Sequence, residues 1–409
     1  MIDAKLIPEG VQRCSLPKFG AWIAFWVIIL LIGLVGAAFA WGFGLGVTNL
    51  DNNFNFALWI VFDLAIIALG AGAFFCGFLL YILRIKELKK IINLCVIVGF
   101  LCYSGALVIL ALEIGQPLRS WFGFWHANVH SMLTEVIFCI TVYLIVLIIE
   151  FVPIILENRQ LNKIRFLHHL AHNMHLVMPL FAGVGTFLSF FHQGSLGGLY
   201  GVLFTRPFVF REGFFIWPWT FFLFILSAIA AGPVFMMLIT TVMEKITGKR
   251  LVDFSVKALM AKISGFLLTI YLFFKFMDTW SWAVETLPKM GISFEQVFHA
   301  PYGKWLMWLE LGICGVLPAI LLVVPALRNR APLMYLGAFL TCAGVVVNRF
   351  VFTIQNLAMP VLPFEQWFTY VPHWTEIVTC GMAVAYLVIV LSLAYRYLPV
   401  FPQEKELNY

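Results

Sequence analysis

Asp63, Glu113, Glu135, His192, Lys275, Asp278, Glu310, Arg349 and Glu376 all stand inside or at the rim of long apolar stretches of this 409-residue chain. A charged group near mid-bilayer costs roughly 2.5–3.5 kcal/mol on insertion scales, so such residues pair with each other or line a wet cavity. Lys275 and Asp278, spaced i and i+3 on one helix, are placed to pair, and Arg349 is expected to pair with Glu376. Pairing does not account for the whole set, because acids exceed bases and all fall in the outer third of their stretches. A polar chamber open to the outer face does account for it. Carboxylates and an imidazole in such a chamber suit proton transfer.

Histidine and cysteine narrow the chemistry. His168, His169, His172 and His175 crowd the inner end of one stretch, and positions 168, 172 and 175 share a helical face. They suit proton uptake or an interfacial position among basic loops. A membrane haem with two histidine ligands is disfavoured, because no second inner helix carries a histidine. The eight cysteines form no C-x-x-C and no C-x-x-C-H. A c-type haem, or an iron–sulfur cluster held by this chain alone, is therefore not expected. No metal site is anticipated.

The elements that must position these residues follow from composition. Hydrophobic residues make up 62% and charged ones 11%, against roughly 45–50% and about 25% in ordinary globular chains, and mean hydropathy is +0.97. This describes an all-α polytopic membrane protein, since lipid leaves backbone groups no partner outside a helix or closed barrel, and ~10-residue alternating barrel segments are missing. Ten spans are read: 19–46, 57–84, 91–113, 130–156, 168–191, 214–243, 258–284, 304–326, 332–357 and 373–397. The first reads as a retained anchor. With both termini inside, nineteen of the 26 lysines and arginines, Lys405 among them, fall on inner segments. Arg119, Arg206, Arg211, Lys289 and Lys304 fall on outer loops. That bias orients the chain in the cell's inner membrane with both termini cytoplasmic. The formal charge of +6 thus speaks of topology, not of nucleic acid.

Twelve of the fourteen tryptophans lie at the outer ends, with only Trp22 and Trp26 inside. An aromatic belt serves both interfaces, so the asymmetry suggests an outer surface that docks a partner or an amphipathic ligand. A weak internal repeat pairs LAIIALGAGAFF from Leu64 with LSAIAAGPVF from Leu226. The whole chain then reads as one membrane domain: a four-helix repeat over 57–191, a second over 214–357, and flanking spans 19–46 and 373–397.

Three local patterns resemble a known family. LEIGQPLRSW (Leu112–Trp121), followed by Asn128–Ser131, is similar to the acidic–x–Gly–Arg–Pro segment of the NrfD/PsrC-like quinone-interacting membrane subunits, with Glu113 for the usual Asp and Gln116 for the usual Arg. HQGSLGGLYG (His192–Gly201) resembles the His-Gln-Ser-Ser-Leu-Gly signature of that family's ten-helix branch. Asn348–Arg349 and YVPHWTEI (Tyr370–Ile377) resemble its Asn-Arg and Tyr-x-Pro-Ser-x-x-Glu motifs, with His373 replacing Ser. The branch includes membrane subunits of quinone-linked hydrogenases, of sulfite-reduction-associated complexes and of quinone reductase complexes.

The resemblance implies two four-helix bundles plus flanking helices, no haem in this subunit, and a menaquinone pocket near the outer, periplasmic face. It also implies a periplasmic ferredoxin-like iron–sulfur subunit as partner, with multihaem cytochrome c or catalytic subunits beyond it. On the family motifs and on depth together, Asp63, Glu135 and His192 are the expected proton-handling catalytic residues. His130, Gln193 and Glu113 are expected to bind the quinone. His172 and His175, then Glu310, Asp278, Arg349 and Glu376, are the expected proton path. The rival class is a secondary transporter, whose sites tend to lie at the midplane between repeats.

Overall fold

The computed structural model describes residues 2–404, apart from Thr205, Glu212, Phe215, Ile216, Val361 and Pro363; Lys405 lies outside the described residues. Among the described residues, ten helices are long and apolar enough to span a bilayer. They are α1 (Leu16–Phe43), α2 (Leu58–Tyr81), α3 (Lys86–Glu113), α4 (Met132–Leu156), α5 (Arg165–Gly201), α6 (Trp219–Thr247), α7 (Phe254–Lys289), α8 (Trp305–Val323), α9 (Ala331–Ala358) and α10 (Trp374–Tyr397). Consecutive helices run in opposite directions. One end of the molecule therefore gathers the termini and basic loops, and the other gathers most of the tryptophans.

Helices α2–α5 close one four-helix bundle and α6–α9 close a second, while α10 packs on α3 and carries α1 on its outer side. The two bundles meet mainly through α2 and α6. The meeting is backbone on backbone: a Cβ added to Gly72 of α2 would lie 2.1 Å from the Ala228 carbonyl, and one on Gly232 of α6 would lie 1.9 Å from that of Gly72. Without a hydrophobic drive between helices in lipid, such close van der Waals contact between small residues is what holds helices together.

Helix α5 departs from its expected end. The sequence suggests a stop near residue 191, because glycines disfavour a helix by about 1 kcal/mol each. The helix instead runs to Gly201. Packing overrides propensity here: a Cβ on Gly197 would meet the Thr220 carbonyl at 2.3 Å, and one on Gly194 the Phe221 ring at 2.4 Å. His192 and Gln193 consequently lie inside a helix and not at its close. Three stretches are π-wound, namely Trp282–Thr286, Trp305–Val316 and Val351–Gln355, all in the second bundle.

The basic end is clasped by polar contacts. Lys90 pairs with Asp253 at 2.6 Å, and Gln403 donates to the carbonyls of Lys90 and Leu251 at 3.1 and 2.8 Å. Both contacts tie the first bundle to the second. Arg396 pairs with Asp3 at 2.6 Å, Arg13 with Glu404 at 2.5 Å, and Asn158 donates to the carbonyls of Leu6 and Tyr397. The Arg396 hydrogen bond holds the Asp3 carboxyl below its ordinary value.

Two outcomes follow. Gly72→Val should lower the thermal midpoint of the detergent-purified protein by several degrees, since overpacking costs about 1–3 kcal/mol, whereas Gly183→Ala, with open space at its Cβ, should leave it in place. Because the folded-state pKa of Asp3 is depressed, its stabilisation is present above the unfolded value and is lost as pH falls through the folded one. Proteolysis of the N-terminal segment should therefore rise below about pH 4, and Asp3→Asn should show that susceptibility already at neutral pH.

Candidate functional site

A buried polar junction at the tryptophan-rich end is framed by α2, α3 and α10. Trp59 and Asp63 lie four residues apart on one face of α2. Trp59 is buried, and its indole N–H donates to Thr379 Oγ1 of α10 at 2.6 Å. Around that bond Ala37, Ala40, Ile109, Leu112, Met382 and Ala383 form a satellite core. It fixes the ends of α1, α2, α3 and α10 relative to one another. Asp63, 4% exposed, and the Glu113 carboxylate at the end of α3 project into this junction, within electrostatic reach of each other and of Glu376. Tyr200 of α5 lies within electrostatic reach of Glu113, Asp63 and Arg349 of α9.

A strap crosses the helix ends beside this junction. Glu376 accepts from the Asn49 and His373 backbone N–H groups at 2.9 and 3.3 Å and from the Tyr370 hydroxyl. Asn49 Nδ2 donates to the Val371 carbonyl at 2.8 Å, and Thr375 to that of Val47 at 3.0 Å. Residues 44–57 and 367–376 are thereby sewn across the helix ends. Burial and the neighbouring Glu376 push the Tyr370 phenol up from its ordinary value, which keeps it a hydrogen-bond donor.

From this junction a set of buried polar groups continues into the first bundle. His192, fully buried, has both ring nitrogens without hydrogen-bond partners, as do both ends of the Gln193 amide, both Glu113 oxygens and Asp63 Oδ1. The Tyr103 ring lies 5.6 Å from that of His192 and 4.5 Å from that of Tyr143. The Tyr103 hydroxyl approaches Ser189 and Gln193, and Tyr143 approaches Ser189. Seven residues further along α4, on the same face, Glu150 lines a cavity of about 10 Å³ with Tyr81, Cys95 and Met178, about the room one water needs. A buried polar group without a partner costs about 1–3 kcal/mol. Water or a ligand is what can meet so many in one line.

The expected ion pairs are corrected. Asp278 pairs not with Lys275 but with Arg211, at 2.8 Å, because the loop after α5 folds Arg211 back over the end of α7. Lys275 reaches across to Glu310 of α8 at 3.4 Å. Arg349 does not meet Glu376; it donates to Asn348 Oδ1 and, at 3.1 Å, to Ser227 Oγ, while Glu376 is occupied by the strap. The expected proton path is not one row either. His172 is exposed and His175 pairs with Glu157 at 2.8 Å, both on α5 of the first bundle, whereas Asp278 and Glu310 are engaged inside the second. Glu135 is half-buried beside Ser195 and His130 is exposed.

Tyr103, Tyr143, Ser189, Tyr200 and Glu150 escaped the reading of the sequence. The tyrosines and serine look like ordinary core. Glu150 carries a signal, an acid six residues inside the basic end of α4, but a search fixed on the outer third passes over it.

Among the described residues, ten spanning helices in two four-helix bundles, the first holding buried acid and imidazole groups, define a polytopic membrane protein. Residues 46–360 match the family model "Polysulphide reductase, NrfD", and the chain belongs to that family. It is 62% identical, over its full length and 98% of the relative, to the menaquinone reductase integral membrane subunit of Nitratidesulfovibrio vulgaris. It is 24% identical to the probable Ni/Fe-hydrogenase 2 b-type cytochrome subunit of Escherichia coli, across 98% of this chain and 96% of that one. It is 20% identical to a selenate reductase subunit of Mesobacillus selenatarsenatis, across 93% and 94%.

Thr379→Val removes the acceptor of the buried Trp59 indole. It should cost about 1–3 kcal/mol of stability and alter tryptophan near-ultraviolet dichroism; an unaltered spectrum and thermal midpoint would show the bond to be dispensable.

Proposed function

We propose that this chain is the membrane subunit of a respiratory redox complex that reduces menaquinone at the pocket of Asp63, Glu113 and Tyr200, beneath the periplasmic face. The observation that carries this reading is the row of orphaned buried groups, from the Glu113 carboxylate through Asp63, Gln193 and His192. A quinone head offers two carbonyl oxygens on an apolar ring, and this row offers hydrogen-bonding groups beside the apolar wall of Trp59, Ile109 and Leu112. The residues fit the group. Glu113 and Asp63 would hold one edge of the head, while Gln193 and His192 stand deeper along the row. The name of the relative that is 62% identical supports the choice of ligand.

Quinone reduction takes up two electrons and two protons. Electrons come from a partner, for which we propose a periplasmic iron–sulfur subunit fed by multihaem cytochrome or catalytic subunits, docked on the tryptophan-rich end. The names of the hydrogenase and selenate reductase relatives, each a subunit of something larger, agree with this. Protons reach the pocket through the first bundle. Glu150 takes them up from the cytoplasmic side, Tyr143, Ser189 and Tyr103 relay them by hydroxyl rotation and intervening water, and His192 and Asp63 deliver them. Such a route crosses most of the membrane, which makes turnover electrogenic when electrons arrive from the periplasm.

The transporter alternative requires the bundles to rock against each other. Their backbone contact at Gly72 and Gly232 and the clasp through Lys90, Asp253 and Gln403 oppose that motion.

In the intact purified complex, Glu113→Gln and Asp63→Asn should each lower quinone reduction at least tenfold with assembly unchanged. Glu150→Gln should lower the maximal rate and the membrane-potential signal in proteoliposomes without raising the KM for quinone. Full activity in both pocket variants would sink the site assignment, and an unaffected potential in Glu150→Gln would sink the route.

A further inference from the structure

The connection between α3 and α4 does not stay above the helix ends. After Glu113 the chain turns at Gly115, whose φ of 72° is one that glycine adopts without a Cβ penalty. It then makes a single 3₁₀ turn, Pro117–Arg119, and a short helix, Phe122–Trp125. That helix folds back along the side of α4. The Phe124 ring meets the Phe138 ring edge-on with centroids 5.3 Å apart, and a Cβ on Gly123 would lie 2.7 Å from Ile137 Cδ1. Phe138 stands six residues inside the start of α4 at Met132, a descent of about 9 Å along the helix. The chain returns by way of Asn128, whose backbone N–H donates to Thr134 Oγ1 at 3.1 Å.

The side of α4 that this segment meets is the one turned away from the protein. Val136, Ile140, Tyr143, Leu147 and Glu150 form the buried stripe of α4. Phe138, Val142 and Ile145 form a second stripe, wholly apolar and exposed. On a spanning helix such a face is covered by acyl chains. The segment continues that face outward with large apolar side chains: Trp125 is 75% exposed, Trp121 51% and Leu118 89%. Polar groups accompany them. The Arg119 guanidinium lies 5.1 Å from the Phe122 ring centroid and donates to Gln116 Oε1 at 2.9 Å, and Ser120, His126 and Asn128 are exposed.

Tryptophan settles at the level of the lipid headgroups, where its ring is half apolar and half polar. The apolar side of an interfacial segment sinks about 5–10 Å into the boundary between headgroups and acyl chains, and the descent to Phe138 falls in that range. A protein docking on the helix ends would not touch the side of α4 at this level without entering the acyl layer. We propose that Pro117–Trp125 is an interfacial anchor: it lies on the membrane leaflet at the tryptophan-rich end, with Trp121 and Trp125 at the headgroup–acyl boundary, and its partner is the phospholipid surface. The anchor rests on the exposed face of α4 and not on the quinone reading. Three residues separate it from Glu113, so it ties the end of α3 to the membrane surface.

The test is to identify what touches position 125. With the photoreactive amino acid benzoylphenylalanine in place of Trp125, irradiation of the intact complex in its native membranes should give phospholipid adducts by mass spectrometry. A cross-link to another polypeptide as the main product would overturn the anchor and make the segment a protein-docking surface. A second measurement uses the full chain in nanodiscs of brominated phosphatidylcholine. The emission lost in the Trp121→Phe/Trp125→Phe double variant should be largely quenched when the bromines sit near the carbonyl end of the acyl chain, and less when they sit near the methyl end. If that emission is not quenched by either lipid, the segment is not in the bilayer. Should the double variant fail to assemble, Trp125→Phe alone decides by the same criterion.

Discussion

Lipid offers a buried polar group nothing, and every polar atom in this protein is arranged under that constraint. The second bundle meets it in part by local pairing, Arg211 with Asp278, Lys275 with Glu310, Arg349 with Asn348 and Ser227, while the Gln355 and Asn356 amides keep both ends without a partner. The first bundle leaves it unmet, with acid, imidazole, amide and hydroxyl groups lined up and unpaired. A paired network is stiff and keeps its charge, while an unpaired row can exchange protons and bind something that hydrogen-bonds.

Packing fixes the outer end of that row. Trp59 and Thr379 lock α2 to α10 just beside Asp63, and the strap of residues 44–57 and 367–376 spans the opening above. Glu376 serves that strap, which explains why an acid one turn into α10 is a structural clamp as well as a neighbour of Glu113. The Gly72–Gly232 contact sets the distance between bundles.

Much of this was legible in the sequence. Long apolar runs gave ten helices, with most boundaries shifted only by a few residues, because hydrocarbon thickness dictates length. The concentration of Asp63, Glu113 and His192 beneath one end was also readable, since ionisable groups are rare in such runs. Pairings were not. Asp278 had Lys275 three residues away, yet Arg211 took it, and no local spacing rule encodes a loop folding back by that route. The glycines from 194 to 201 misled for a similar reason: their meaning lies in α6, against which they are pressed.

Helix α5 has 37 residues, about 55 Å of α-helix, where the hydrocarbon layer is about 30 Å thick. Its glycine-lined end is buried against α6, so the surplus emerges at the other end. That end carries His168, His169 and His172, exposed, above a face that presents Leu176, Leu180 and Phe187 outward. One helix is thus made for three media in succession: headgroups, acyl chains, and the interior of the protein itself.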